Sequence, residues 1–328
     1  MTALAPTLQK YFTDHLHRSV NASAHTIAAY RDAWRLLLAY TARTTTIPAH
    51  ATDFTGLDSV VIGAFLTHLE TGRGNSIRTR NARLAALHSF FAYAALEHPE
   101  HGELIARVLA IPMKRHDRTD ISYLTEVEIT ALLDAPDRRT RTGRRDRVLI
   151  LIGISTGLRV SELTALTWAD IHLGAGAHVS CLGKGRKHRA TPLSREDVAA
   201  LRVWKQEPRS MSQVVFPTQT GTRMSTDAIG QRISVHVAAA TAAAPTLKTK
   251  TVTPHVLRHT AAMRMLHAGI DTSVIALWLG HESAETTQIY LHADMALKEK
   301  ALERVRPTGT EPGRFQPGDA LIAFLEAL

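Results

Sequence analysis

The chain has 328 residues, with 39 Lys and Arg against 30 Asp and Glu and a formal net charge of +9. That length suits two domains rather than one, and the basic balance argues for an acidic polymer partner, usually nucleic acid. Cys181 is the only cysteine, which excludes an internal disulfide and a multi-cysteine zinc site, and an aromatic content of 5% disfavours a binder that stacks single-stranded bases on rings. Residues 1–112 read as an all-helical domain. Leu8 to Leu16 is a first amphipathic stretch. Ser23 starts a helix over Ala24–Tyr40, with Ile27, Tyr30, Trp34, Leu37 and Leu38 at helical spacing. Asp58 precedes a helix over Val60–Glu70. The turn at Gly72-Arg73-Gly74 leads to Ser76, which caps a fourth helix over Ile77–Leu96. The first half of that helix carries Arg78, Arg80 and Arg83. With Arg73 these suit a helix end laid against a phosphate backbone.

Residues 113–122 are polar and charged, follow Pro112, and read as a linker. Residues 123–306 form the expected second domain. Thr125 and Glu128 make a capping box for its first helix. Six arginines follow between 138 and 147, with Arg144 and Arg145 among them, and read as a patch facing DNA. Val148–Ser155 is an apolar helix ending at Thr156-Gly157. Arg159 and Glu162 are three apart and can meet on one helical face. His178–Leu182 and Arg186–Leu193 read as a β-hairpin with Lys184 at the turn. Ser194 opens a helix to Lys205, Ser225 caps an alanine-rich helix over Thr226–Ala243, and Pro245–Lys250 is a basic loop.

Thr253 then fits an N-cap, Pro254 the first helical position, and Gly269 the residue past the end. His255 and Arg258 fall in the first turns, where backbone N–H groups also favour an anion. Asp271 caps a short helix stopped by Gly280. His281 follows at once, and Thr286–Arg304 is a last long helix with Tyr290 near its start. A fixed cation, an imidazole and a hydroxyl nucleophile so close together suggest chemistry on a phosphate. Residues 307–328 read as a flexible linker and an amphipathic helix, Asp319–Leu328, that docks on its own domain or on a neighbouring copy. The histidines show no His-Glu-x-x-His pattern, so no metal site is expected. Neither a signal layout nor a run of about 18 apolar residues occurs. A soluble, cytoplasmic protein without membrane contact is expected.

The series Arg159, Lys184, His255-x-x-Arg258, His281, Tyr290 resembles the tyrosine recombinase (phage integrase) family. The local matches are GLRVSEL, LGKGRKHRATPL, HVLRHT, LWLGHES and TTQIYLH. Val256, where many members carry an aspartate or another residue, is a departure at a non-catalytic position, and the tail beyond Pro307 is not covered. The resemblance implies a mainly α fold with a small antiparallel β-sheet: a helical, SAM-like core-binding domain and a mixed α/β catalytic domain. It implies that Tyr290 attacks a phosphodiester to give a 3′-phosphotyrosine, with Arg159 and Arg258 clamping the non-bridging oxygens. Lys184 would protonate the leaving 5′ oxygen, with Lys187 as its rival. His255 would assist proton transfer, His281 would bond the phosphate, and Glu162 would orient Arg159. Arg186 and Lys187 would contact DNA. The expected partner is double-stranded DNA, bound as a homotetramer on paired sites, alone or with related recombinases, and no cofactor is implied. The competing readings are a type IB topoisomerase-like relaxing enzyme and a non-catalytic DNA-binding accessory protein.

Overall fold

A computed structural model of the chain describes residues 4–45, 47–115, 121–182, 188–207 and 212–280. The chain divides into two compact units, Met1–Arg118 and Thr119–Leu328.

In the first unit, α1 (Leu4–Lys10) continues as a π-helical run over Tyr11–Ser19. It is followed by α2 (Ala24–Thr45), α3 (Ser59–Thr71), α4 (Ile77–Glu97) and α5 (Gly102–Leu109). The Asp58 carboxylate accepts from Val61 N–H and the Ser76 hydroxyl from Thr79 N–H. These caps satisfy amide groups that a helix start leaves open. Helix α2 runs past Tyr40 to Thr45. The core is aromatic: Tyr11, Trp34, Phe54, Phe65, Phe90 and Phe91 are fully buried, and the Trp34 and Phe90 rings meet edge-on at 4.6 Å. Tyr11 donates its hydroxyl to Ser89 at 2.7 Å, and burial pushes its pKa up to about 12. His98, half of a close histidine pair with His101, is bonded to Thr7 and Glu100.

The second unit holds α6 (Glu126–Asp134), α7 (Arg141–Thr156) and α8 (Val160–Ala165). A three-stranded antiparallel sheet follows, ordered β1 (Ile171–His172), β2 (His178–Leu182) and β3 (His188–Pro192). Then come α9 (Arg195–Lys205), α10 (Thr226–Ala240), α11 (Pro254–His267) and α12 (Thr272–Leu279). The short β1 is an addition to the hairpin expected from the alternating residues. Helix α7 starts at Arg141 rather than Val148, because Thr140 caps it by accepting from Gly143 N–H. Its apolar half, with Ile150, Ile152 and Ile154 buried, is the axis of the core. Helix α11 lies close against it at Gly153, where a Cβ would sit 3.1 Å from Leu257 Cδ1.

Two buried carboxylates join these elements. Glu128 accepts from Thr125 N–H, Thr246 Oγ1 and Lys250 Nζ. Lys250 also donates to the Tyr123 carbonyl at 2.8 Å. The stretch read as a basic loop is therefore a 3₁₀ turn (Pro245–Thr249) followed by Lys250, which is tied inward. Asp146 accepts from Arg145, Arg232 and His236. Burial alone would raise both carboxyls. The hydrogen bonds, from His236 first at Asp146 and from Lys250 first at Glu128, outweigh it and hold both below their ordinary values. The segment before α6 is fixed to α11: Leu124 N–H donates to the buried Thr260 hydroxyl at 3.0 Å, and Arg264 pairs with Glu126.

Candidate active site

Helix α7 ends at Gly157 in the left-handed conformation, φ +64°. A Cβ there would lie 2.5 Å from Leu279 Cδ2, so both the dihedral and the space demand glycine. The turn delivers Arg159 to the N-cap of α8. There Glu162 Oε2 accepts from Arg159 N–H at 2.7 Å and Oε1 from Arg159 Nη1 at 3.0 Å. The expected Arg159–Glu162 contact is present.

Helix α12 ends in the same region at Gly280, φ +65°, and its last carbonyls have no helical partner. Two guanidinium groups take them. Arg258 Nη2 donates to Leu279 O at 2.8 Å and Arg159 Nη2 to Gly280 O at 2.9 Å. Arg258 Nη1 also donates to Gly157 O at 2.7 Å. Consecutive carbonyls of one helix C-terminus thus set Arg159 and Arg258 side by side, where the helix dipole favours cations. Trp278 Nε1 bonds Thr156 O at 3.1 Å, which ties α12 to the end of α7. Arg258 is 3% exposed, whereas the Arg159 side chain is 30% exposed. His255 lies on the exposed side of α11 and meets the His259 ring at 4.2 Å, edge to face.

A third arginine completes the group and is absent from the sequence reading. Arg189, on β3, donates Nη1 to Glu162 Oε1 at 3.0 Å and Nη2 to Oε2 at 2.8 Å. Its signal is positional. Register pairs Arg189 with Cys181 and Thr191 with Val179, so an arginine stands on the buried face of the hairpin. Burial, the largest effect, pushes the Cys181 thiol up, so it stays neutral beside these cations. Among the described residues, no group of three or more His, Cys, Asp or Glu side chains could hold a metal ion.

Lys184, Arg186, Lys187, His281, Tyr290 and the segment Asp319–Leu328 lie outside the described residues. The arginines singled out for DNA divide. Arg73 and Arg78 are exposed, and none of Arg73, Arg78 and Arg83 has an ion pair among the described residues. Burial first, then the nearby Arg73, lowers the Arg83 pKa. Arg80 departs from the expectation. It is 5% exposed, points toward Glu70 at 3.6 Å, and donates to the Pro112 carbonyl. Arg144 and Arg145 also depart from it. Arg144 pairs with Glu207 and donates to the Arg138 and Arg139 carbonyls. Arg145 is buried against Asp146 and donates to Pro217 O at 2.7 Å. All three are engaged within the protein.

Residues 10–98 match the phage integrase N-terminal SAM-like domain, and residues 122–296 match the phage integrase family. The chain is 48% identical over 327 residues to the integrase/recombinase y4rC of Sinorhizobium fredii, covering 99% of this chain and 98% of that protein. It is 34% identical over 297 residues to tyrosine recombinase XerC of Xanthomonas campestris pv. campestris, covering 90% and 87%. Among solved structures, the XerH site-specific recombinase in a post-cleavage complex with palindromic difH substrate aligns with a TM-score of 0.69 at 22% identity, covering 86% of this chain and 80% of that one. The Tn1549 transposon integrase in complex with a circular intermediate DNA aligns with a TM-score of 0.68 at 19% identity, covering 91% and 99%. These two likenesses show a shared fold.

Proposed function

The chain belongs to the phage integrase family of tyrosine recombinases, and on that premise we propose that it cuts and rejoins duplex DNA through a 3′-phosphotyrosyl intermediate at Tyr290. The observation that carries this reading is the placing of Arg159 and Arg258 on consecutive carbonyls, Gly280 and Leu279, immediately before His281. Such a preorganised pair suits a phosphorane-like transition state, in which charge grows on two non-bridging oxygens. Removing one donor of this kind costs on the order of 3–4 kcal/mol of barrier.

In the proposed reaction Tyr290 attacks the phosphorus and forms the phosphotyrosyl bond as the 5′ oxygen leaves. Lys184 gives that oxygen its proton. His255, on the exposed side of α11, assists proton transfer at the tyrosine hydroxyl. His281 hydrogen-bonds the phosphate, and Glu162 orients Arg159. The energy of the broken bond stays in the phosphotyrosine, and a second strand's 5′-hydroxyl recovers it, so neither metal nor ATP is required. The partner is double-stranded DNA, held by a homotetramer on paired sites in the cytoplasm. Exposed Arg73, Arg78 and the neighbouring Arg83 supply backbone contacts from the first unit, and Arg186 and Lys187 from the second. Arg80, Arg144 and Arg145 are left out because their charges are taken internally.

The test uses a duplex recovered by selection from a randomised pool, nicked inside the bound core so that cleavage cannot reverse. Wild-type protein should form a denaturation-resistant covalent complex and Tyr290→Phe none. A wild-type chain that binds the duplex yet forms no such complex, or a Tyr290→Phe chain that forms it equally well, would falsify the reading. Recovery of strand-exchanged products, rather than relaxation of a single supercoiled circle, separates recombinase from topoisomerase.

A further inference from the structure

We propose that Arg189 is a positioning residue for the cleavage step, holding Glu162 and the Gly280 turn so that Arg159 keeps one fixed position. This inference rests on the recombinase reading above. It begins from the hydrogen bonds of Glu162. Each of its carboxylate oxygens accepts twice: Oε1 from Arg159 Nη1 and Arg189 Nη1, Oε2 from Arg159 N–H and Arg189 Nη2. A carboxylate held from two sides, with its side chain 5% exposed, has one position only. Arg159 takes its direction from that position.

A second observation is independent of Glu162. A Cβ built on Gly280 would fall 2.7 Å from Arg189 Nη1 and 3.2 Å from its Cδ. Arg189 therefore lies flat against the turn whose carbonyl accepts Arg159 Nη2. It touches both supports of Arg159, the carboxylate on one side and the α12 terminus on the other. The third observation is its place in the sheet. Arg189 is one residue into β3 and is paired with Cys181 of β2. One side chain, 10% exposed, thus connects the strand pair to the arginine pair. A guanidinium is needed because its planar fork meets both carboxylate oxygens at once, which a lysine ammonium cannot do.

The experiment compares wild type, Arg189→Met, Arg189→Lys, Glu162→Gln and the Glu162→Gln/Arg189→Met double variant, on the same selected nicked duplex. Three quantities are read: equilibrium affinity for the intact duplex, melting temperature, and the single-turnover rate of covalent complex formation at saturating protein. Arg189→Met should slow the single-turnover rate on the order of 10²-fold, the scale set by a small misplacement of a catalytic group. Affinity should stay within about threefold, because Arg189 is not offered to DNA. Arg189→Lys should be slow as well, and it carries the same comparison if Arg189→Met melts too low to assay. The double variant should lose clearly less than the sum of the two single losses, since Arg189 acts on Arg159 in part through Glu162.

Wild-type rates in both Arg189 variants overturn the proposal. So does a loss of rate matched by an equal loss of affinity, or additive losses in the double variant, since either gives Arg189 a general or separate role. A wild-type protein that forms no covalent complex overturns the recombinase reading itself, a different result that the same gel displays.

Discussion

Two arginine-rich regions of the second unit contrast in what their charges meet. Between 138 and 147 six arginines crowd into ten positions, yet each is engaged. Arg138 meets Asp134, Arg139 meets Asp137, Arg144 meets Glu207 and Arg145 meets Asp146. Arg147 approaches Glu196 at 4.0 Å, and Arg141 lies over the Trp204 ring at 5.1 Å. The second region, Arg159, Arg189 and Arg258, is scattered over a hundred positions of sequence and invisible as a cluster. There two arginines share the Glu162 carboxylate, and two spend donors on backbone carbonyls, which carry no net charge to cancel them. Density of arginine along a chain therefore says little about positive potential in space. What decides it is whether the partners are carboxylates or carbonyls.

That contrast can be broken at four points. The largest effect is expected at the scattered set. Arg258→Ala and Arg159→Ala should each lower covalent complex formation by roughly 10²–10³-fold while DNA affinity stays near wild type, measured by single-turnover cleavage beside equilibrium binding. A comparable loss of cleavage from Arg144→Ala would erase the distinction between the regions.

The next effect is on folding. Arg145→Met removes a buried donor from Asp146 and from the Pro217 carbonyl, although Arg232 and His236 remain on the carboxylate. A loss of about 1–3 kcal/mol is expected in denaturant titration, with normal cleavage per folded molecule. The third prediction concerns pH. Asp146 and Glu128 are held below their ordinary values in the fold, so each stabilises it above the unfolded carboxylate range, about 4. That contribution is fully present at neutral pH and is lost as pH falls through the depressed folded values. Melting curves from pH 7 to 3 should show the drop at the acid end, and Asp146→Asn should make the profile shallower. The smallest effect sets two exposed arginines side by side. Arg78→Ala should reduce the slope of log affinity against log salt by about one, as a phosphate contact does. Arg139→Ala, paired at the surface with Asp137, should leave the slope unchanged.

How far the sequence was legible follows the range of each interaction. Helix starts were readable because a cap is local. Asp58, Ser76, Thr125, Ser194, Ser225, Thr253 and Asp271 all cap the helices they precede. Helix extent was less so. The first turns of α7 are charged, and the partner of Arg144 there, Glu207, is 63 positions away. Arg159 and Glu162 could be joined on paper because they sit three apart. Arg189 could not, because its place depends on strand register and on which face of the hairpin is covered. Nor could the internal partners of Arg80, Arg144 and Arg145 be read from the sequence. No local pattern says that the Pro112 carbonyl folds against Arg80, Glu207 against Arg144, or the Pro217 carbonyl against Arg145.

The bond from Leu124 N–H to Thr260 Oγ1, with Lys250 on the Tyr123 carbonyl, bears on how this protein can be divided. A catalytic fragment begun at the first helical residue, Glu126, would leave the buried Thr260 hydroxyl without the Leu124 donor and Lys250 without the Tyr123 carbonyl, with Glu128 as its remaining acceptor. One begun at Ile121 keeps both. The two fragments differ by five residues in front of a complete helical core, yet the shorter one should melt earlier and hold Arg258 less firmly. The useful boundary for dissection thus lies ahead of the first helix, in an extended strap that belongs to the catalytic unit.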